Sequence, residues 1–138
     1  MKKLSAILLM ALFLVGCGSD AKEVKGTGES AKDKNGDYAT AEITMKGDEV
    51  VSIKLDETKN GKSKKELGAD YNMKSASPIK KEWDEQVEFL ESYIQKNGLD
   101  KVVLKDDGKA KNDDVLAGCT MTLTNLMDAA TKAKDNAK

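Results

Sequence analysis

The chain has 138 residues, of which 39% are hydrophobic and 34% are charged, with 23 basic residues, 24 acidic residues and no histidine. The lack of histidine excludes c-type haem ligation, histidine-based acid–base catalysis and most zinc sites. The balanced charge argues against a nucleic-acid partner, because phosphate binding needs clustered Lys and Arg.

The first 16 residues have the order of a bacterial lipoprotein signal. Two lysines precede an apolar run from Leu4 to Val15, which is too short for a membrane span and typical of a signal sequence. The following Leu14-Val15-Gly16-Cys17 resembles a lipobox, whose cysteine receives diacylglycerol. We therefore expect residues 1–16 to be removed and Cys17 to hold the protein on the outer face of the cell membrane through membrane lipid. The alternative is an ordinary signal peptide with an incidental cysteine.

Residues 17–35 are predicted to be a flexible tether behind the lipidated cysteine. Gly, Ser, Lys, Glu and Asp dominate this segment, and Val24 is its one aliphatic residue larger than Ala. Such a composition does not bury enough apolar surface to order itself. Eighteen residues at full stretch would reach about 60 Å. The folded domain is predicted to occupy residues 36–138.

Two neighbouring segments of the domain alternate apolar and polar residues, as strands with one buried face do. They flank the turn Lys46-Gly47-Asp48 and together predict a β-hairpin. A polar loop follows, and its lysines indicate either a solvated loop or a docking patch for an anionic partner. The apolar positions are Ala39, Ala41, Ile43, Met45, Val51, Ile53 and Leu55, and the loop lysines are 59, 62, 64 and 65.

A helix is predicted from Ser77-Pro78, as cap and first helical residue, to Asn97-Gly98. Its apolar residues recur at helical spacing and include Trp83, which we expect in the core, with stacking on a ligand beside Tyr71 as the alternative. Val102 to Leu104 predicts a short further strand, and a second helix is predicted from about Thr120. Hairpin, helix, strand and helix indicate one small α+β domain.

The segment before the second predicted helix carries the strongest functional pattern, Asp114-Val115-Leu116-Ala117-Gly118-Cys119-Thr120-Met121-Thr122. A helix N-terminus presents unpaired N–H groups that stabilise a phosphate. Gly118 allows the backbone to approach that phosphate. Thr120 supplies a hydroxyl for an ester, and Thr122 could donate to the phosphate or cap the helix.

This pattern resembles the FMN-attachment motif of the FMN-binding domain family, usually Asp-x-x-Ser/Thr/Ala-Gly-Ala-Thr-x-Thr/Ser, with Cys119 in place of alanine. Gly36-Asp37-Tyr38 resembles the family's opening strand. The segments Leu67–Met73 and Glu82–Gln86 resemble the flavin-bearing lipoproteins of Gram-positive extracellular electron transfer. The resemblance implies that a flavin transferase esterifies FMN phosphate to Thr120.

Two residues of the motif keep alternatives open. The resemblance implies that Asp114 serves recognition by the transferase, whereas its neighbours Asn112 and Asp113 allow a simple polar turn. Cys119 either fills the place of the small alanine or, near a helix start, is a redox-active thiolate. If Cys17 is lipidated, Cys119 has no cysteine left with which to form an internal disulfide.

The resemblance implies an electron carrier without a catalytic site of its own. FMN would receive electrons from a membrane dehydrogenase through a quinone and pass them to extracellular acceptors such as ferric iron, while the protein orients and tethers the cofactor. The alternative is a non-redox lipoprotein that binds a solute or a cell-wall component, with Thr120 as a helix cap. Independently, the end of the signal sequence resembles the source of hydrophobic peptide pheromones.

Overall fold

The computed structural model describes residues 21–138 and confirms a small α+β domain. The signal predicted for residues 1–16 and the lipidation predicted at Cys17 lie outside the described residues. Four antiparallel strands form a sheet in the order β1-β2-β3-β4. The strands are β1 (Glu23–Glu29), β2 (Ala39–Lys46), β3 (Glu49–Lys59) and β4 (Lys62–Ser63), and the α-helices are α1 (Lys64–Leu67), α2 (Trp83–Asn97), α3 (Asp113–Leu116) and α4 (Thr124–Asp135), with 3₁₀ turns at Gly68–Tyr71 and Leu99–Lys101.

The predicted hairpin is confirmed as β2 and β3. Ile43 lies opposite Ile53 and Ala41 opposite Leu55, and one register shift follows Thr44. Alternate side chains of β2 are buried on a single face. In β3 the register shift buries Val50, so the prediction that Val51 lies on the buried face is wrong, while Ile53 and Leu55 are buried as predicted. Because α2 packs on β3 and α4 packs on β1 and β2, the domain has two layers with its core between sheet and helices.

The prediction of a flexible tether over residues 17–35 is wrong for residues 23–29, which form β1. This strand pairs with β2 along its whole length, from Glu23 opposite Lys46 to Glu29 opposite Thr40. Its face toward α4 carries glycines at 26 and 28, and a Cβ at either position would overlap the backbone of α4. Strand β1 is therefore held by the close approach of its backbone to α4 and not by buried side chains. A search of the sequence for alternating apolar residues does not detect such a strand.

Helix α2 begins five residues later than predicted, so Ser77 is not its cap. Lys80 has a φ of 54°, which interrupts any helical run from Pro78. The cap is Glu82, whose side chain and that of Glu85 bond reciprocally to backbone N–H groups in a capping box. The helix ends as predicted at Gly98, where φ is 101°.

Helix α4 begins at Thr124, four residues after the predicted start at Thr120. Residues 117–123 form a loop between α3 and α4. The short further strand around Val102 to Leu104 is present as a single bridge between Leu104 and Ala110. Within residues 21–138, no helix has both the length and the apolar content needed to cross a bilayer.

Candidate functional site

The central residue of the motif, Thr120, lies in the loop before α4 and is half-buried. Its backbone N–H donates to Oε1 of Gln86 at 2.9 Å, and its hydroxyl lies 3.5 Å from the same oxygen. Gln86 is on α2 and is only 1% exposed. The Thr120 loop is therefore held against α2 by a buried amide.

The other end of the Gln86 amide holds a different segment. Nε2 donates to Ser77 Oγ at 3.2 Å and to the Lys81 carbonyl oxygen at 3.2 Å, and it lies 3.5 Å from Met73 Sδ. Sequence reasoning missed this residue because the motif does not contain it. Its position gave a signal, since residue 86 follows Trp83 by three and so shares the buried face of α2.

Thr120 opens onto a cavity of about 270 Å³. Its walls combine a few polar groups with a larger apolar surface, as small-molecule sites commonly do. The cationic side chain in this wall belongs to Lys109, from the turn before α3. The lining residues are Met73, Ala76, Ser77, Pro78, Gln86, Lys109, Thr120, Met121 and Thr122.

A second cavity, of about 290 Å³, adjoins the first. Both are lined by Met73, Met121 and Thr122, and we call the two together the cleft. The remaining walls of the second cavity are Glu57, Lys64, Tyr71, Trp83, Thr124 and Asn125. A larger groove of about 590 Å³ runs beside β1, β2 and α4, but none of the predicted site residues lines it.

Lys64 is enclosed in the second cavity and is only 9% exposed. Its Nζ lies 2.6 Å from Glu57 Oε2, 5.0 Å from the Tyr71 ring centre and 5.3 Å from the Trp83 ring. The prediction that four lysines form one solvated loop or docking patch is therefore wrong for Lys64, whose charge is paired inside the domain. Lys65 is partly exposed and paired with Glu91.

Trp83 is a core residue, as expected from its place on the apolar stripe, and is 2% exposed. It also lines the second cavity, as does Tyr71, which is half-buried. The cleft thus has aromatic surface on the side away from Thr120.

The role predicted for Gly118 is replaced by a packing role. A Cβ at this position would overlap the aromatic ring of Phe89 from α2. Glycine is therefore required because helix and loop touch here, and its open side is filled by Phe89 rather than by a ligand. Gly118 does not line the cleft.

Cys119 is fully buried among apolar residues. Burial raises the pKa of its thiol from 9.0 to about 11, although a backbone hydrogen bond from Met121 acts in the opposite direction. A thiol in this environment stays protonated at neutral pH, so the thiolate alternative is wrong. Cys119 takes the place of a small core residue.

Asp114 is exposed on α3 and does not meet Thr120. Its Oδ2 accepts a hydrogen bond from the Tyr93 hydroxyl at 3.0 Å. Desolvation first, and then the Asp114 carboxylate, raise the pKa of Tyr93. The neighbouring Asn112 is structural, since its side chain bonds to the backbone of Val103 and Lys101. Asp114 is therefore a surface residue that a partner protein can reach.

The N-terminus of α4 faces the second cavity, whereas the sequence predicted a helix start at about Thr120. Thr124 and Asn125 open the helix, which has no side-chain cap, and both line the second cavity. The turn around Gly108 holds this end, because the Leu123 N–H donates to the Gly108 carbonyl at 2.8 Å. Thr122 lines both cavities and so lies between Thr120 and the start of the helix.

The chemistry of the cleft suits a ligand that combines a flat ring system with a phosphate. Apolar and aromatic surface is available for a ring, while Lys109 and the unpaired N–H groups at the start of α4 suit an anion. Lys64 contributes little net charge, since Glu57 neutralises it. The Thr120 hydroxyl lines the same cleft, where an ester to that phosphate would form.

Comparison with known proteins supports the fold. No protein family profile and no curated protein matches this chain. One similar solved structure is the solution NMR structure of a protein from Clostridium thermocellum, determined by the Northeast Structural Genomics Consortium. It is 25% identical, aligns over 83% of this chain and 91% of its own, and has a TM-score of 0.54. It gives no indication of a ligand or an activity.

Proposed function

We propose that the protein is a membrane-anchored extracellular electron carrier of the FMN-binding domain family, with FMN esterified through its phosphate to Thr120. One observation carries the proposal. Thr120 lines a cavity of about 270 Å³ that is also lined by Lys109, and the backbone of the loop is held by buried Gln86. A hydroxyl on a fixed backbone at the edge of a mostly apolar cavity is suited to carrying a covalent ligand.

The attachment needs an activated donor and a transferase. Ester formation from a free phosphate is uphill in water, so we propose a flavin dinucleotide as donor. Thr120 Oγ1 would form a bond to the flavin-side phosphorus, the pyrophosphate bond would break, and the adenylate would leave while the hydroxyl proton is released. Lys109 lines the same cavity as Thr120 and would reduce the negative charge of a phosphate bound there. Exposed Asp114 is available for contact with the transferase.

In the carrier itself, the chain's residues bind and orient the cofactor, and FMN when bound exchanges one or two electrons. Met73, Met121 and Pro78 supply apolar surface for a ring. With Cys17 lipidated, the domain would remain beside the membrane, where a dehydrogenase acting through quinone is the proposed donor. A covalent link suits this location, because a dissociated cofactor would diffuse away from the cell.

The test is to express the full chain with a flavin transferase and measure its mass. We expect a gain of one FMN minus one water for wild type and for Thr131→Ala, and no gain for Thr120→Ala. Thr131→Ala is the matched control, since this threonine is exposed on α4 and lines neither cavity of the cleft. A gain that persists in Thr120→Ala, or is absent from wild type, would refute covalent attachment at Thr120.

An assay on the native protein distinguishes the proposed flavin carrier from the non-redox alternative. Chain purified from its own membrane should show flavin fluorescence after denaturing electrophoresis if the cofactor is covalent. Absence of both fluorescence and flavin absorbance would favour a lipoprotein that uses the cleft for another solute.

A further inference from the structure

We propose that Gln86 is the positioning residue for modification of Thr120, acting through its buried amide on the direction of the Thr120 hydroxyl. This role rests on the proposed attachment of flavin. Gln86 lies outside the motif and is 34 positions from Thr120 in sequence. Through its amide it would nevertheless affect the rate at which Thr120 is modified.

The orientation of the amide is fixed by its own hydrogen bonds. Nε2 donates to the Ser77 hydroxyl and to the Lys81 carbonyl, which accept hydrogen bonds. Oε1 accepts from the Thr120 N–H. A flipped amide would place N–H groups against the Thr120 N–H and an oxygen against the Lys81 carbonyl, so both ends would repel. One orientation of Gln86 therefore satisfies all its partners.

Burial makes this arrangement costly to disturb. Gln86 is 1% exposed, and a buried amide without partners loses its hydration with no replacement. The same amide joins α2, the segment from Ser77 to Lys81 and the Thr120 loop. A rotation at Thr120 would thus break contacts in a second segment, which couples the loop conformation to the rest of the cleft wall.

The second contact concerns the reacting atom. Thr120 Oγ1 lies 3.5 Å from Gln86 Oε1, at the limit of a hydrogen bond. When the hydroxyl proton points to this acceptor, the oxygen lone pairs face away from Gln86 and toward the cavity. Phosphoryl transfer requires a lone pair aimed at phosphorus. Gln86 is not a base in this step.

The test compares Gln86→Met in the full chain with wild type, using the transferase and flavin dinucleotide. Met has a similar shape but cannot accept from the Thr120 N–H. We expect kcat for modification to fall at least tenfold, while KM for the protein substrate is unchanged, because a buried residue does not contact the transferase. Hydrogen exchange at the Thr120 amide should become at least tenfold faster, which is measured without any flavin.

The matched control is Ile94→Val, on the same helix and fully buried, but not among the residues that line the Thr120 cavity. It should lower the melting temperature and leave kcat and Thr120 exchange unchanged. If Gln86→Met does not fold, Ser77→Ala removes one of the two oxygen acceptors of Nε2 and should give a smaller change in the same direction.

The outcomes are distinguishable. Unchanged kcat or unchanged Thr120 exchange in Gln86→Met refutes the positioning role while leaving flavin attachment intact. The positioning role is also refuted if kcat falls in proportion to the melting temperature in both Gln86→Met and Ile94→Val, since this would indicate a general structural effect. A wild-type chain that gains no flavin refutes the proposed function itself, and the positioning role with it.

Discussion

At the scale of single residues, the motif divides into a position that lines the cleft and positions that pack inside the domain. Thr120 lines the cleft, whereas Gly118 accommodates Phe89 and Cys119 fills the core. The sequence pattern therefore combines two constraints. Packing explains the small residues at 118 and 119, and the chemistry of the cleft concerns the hydroxyl at 120.

The buried thiol of Cys119 predicts a specific pH dependence. Its folded pKa is about 11 against 9.0 for the free group. Above pH 9 the unfolded chain loses this proton first and binds fewer protons than the folded chain, so stability falls as pH rises. We expect wild type to lose about 2 kcal/mol more than Cys119→Ala between pH 8 and pH 11. Denaturant unfolding at both pH values measures this difference, and parallel losses in the two proteins would contradict it.

The residues of the site were only partly predictable. Thr120 and Thr122 both line the cleft, and the sequence pointed to them because a hydroxyl near a glycine and an acid is visible in it. Gln86 was not, since its importance depends on a contact with Thr120 that appears only when α2 packs against the loop. Lys64 looked like part of a charged loop, because its partner Glu57 is on another element.

At the scale of elements, the packing of β1 against α4 depends on residues without side chains. Gly26 and Gly28 lie opposite Ala133 and Ala129, so two backbones approach as closely as their atoms allow. Sequence periodicity predicted β2 and β3 well, because their buried faces carry aliphatic residues. Sequence periodicity did not predict β1, because the sequence does not distinguish a glycine packed in a strand from a glycine in a flexible segment.

We expect Gly28→Ala to destabilise the domain by about 1–3 kcal/mol, as overpacking of a filled site does. The new methyl would overlap backbone atoms of α4, which cannot rotate away as a side chain can. This outweighs the gain of about 0.4–1 kcal/mol that Gly→Ala gives by restricting the unfolded chain. Chemical denaturation measures the change.

Thr27→Ala provides the control on the same strand, since Thr27 is exposed on the opposite face. Surface changes of this kind usually alter stability by about 0.5 kcal/mol or less. Equal stability of Gly28→Ala and Thr27→Ala would show that β1 and α4 are not in close contact.

At the scale of the whole molecule, β1 makes the N-terminal segment part of the cooperative unit. It supplies seven residue pairs to β2 and covers the alanine-rich face of α4. Loss of the strand would leave an unpaired edge on β2 and expose that face. The domain boundary thus lies before residue 23, not at Gly36.

A chain beginning at Ala21 should therefore melt cooperatively, whereas one beginning at Gly36 should not. Circular dichroism during heating measures both, because a lost cooperative unit removes the sigmoidal transition. The two chains differ by 15 residues. If these residues were only a flexible tether, their removal would leave the melting temperature unchanged. Similar melting temperatures would show that β1 is dispensable.

The position of β1 also determines how high the cleft stands above a membrane. If Cys17 is lipidated, five residues separate it from Glu23 and span at most about 18 Å. Glu23 pairs with Lys46 at one end of the sheet, while Glu57 borders the cleft near the other end of β3. The eight residue-to-residue steps from Glu49 to Glu57 correspond to about 26 Å. With the sheet upright on the membrane, its length would place the cleft on the side away from the bilayer, so a donor buried in the lipid would meet the cleft only when the domain tilts over.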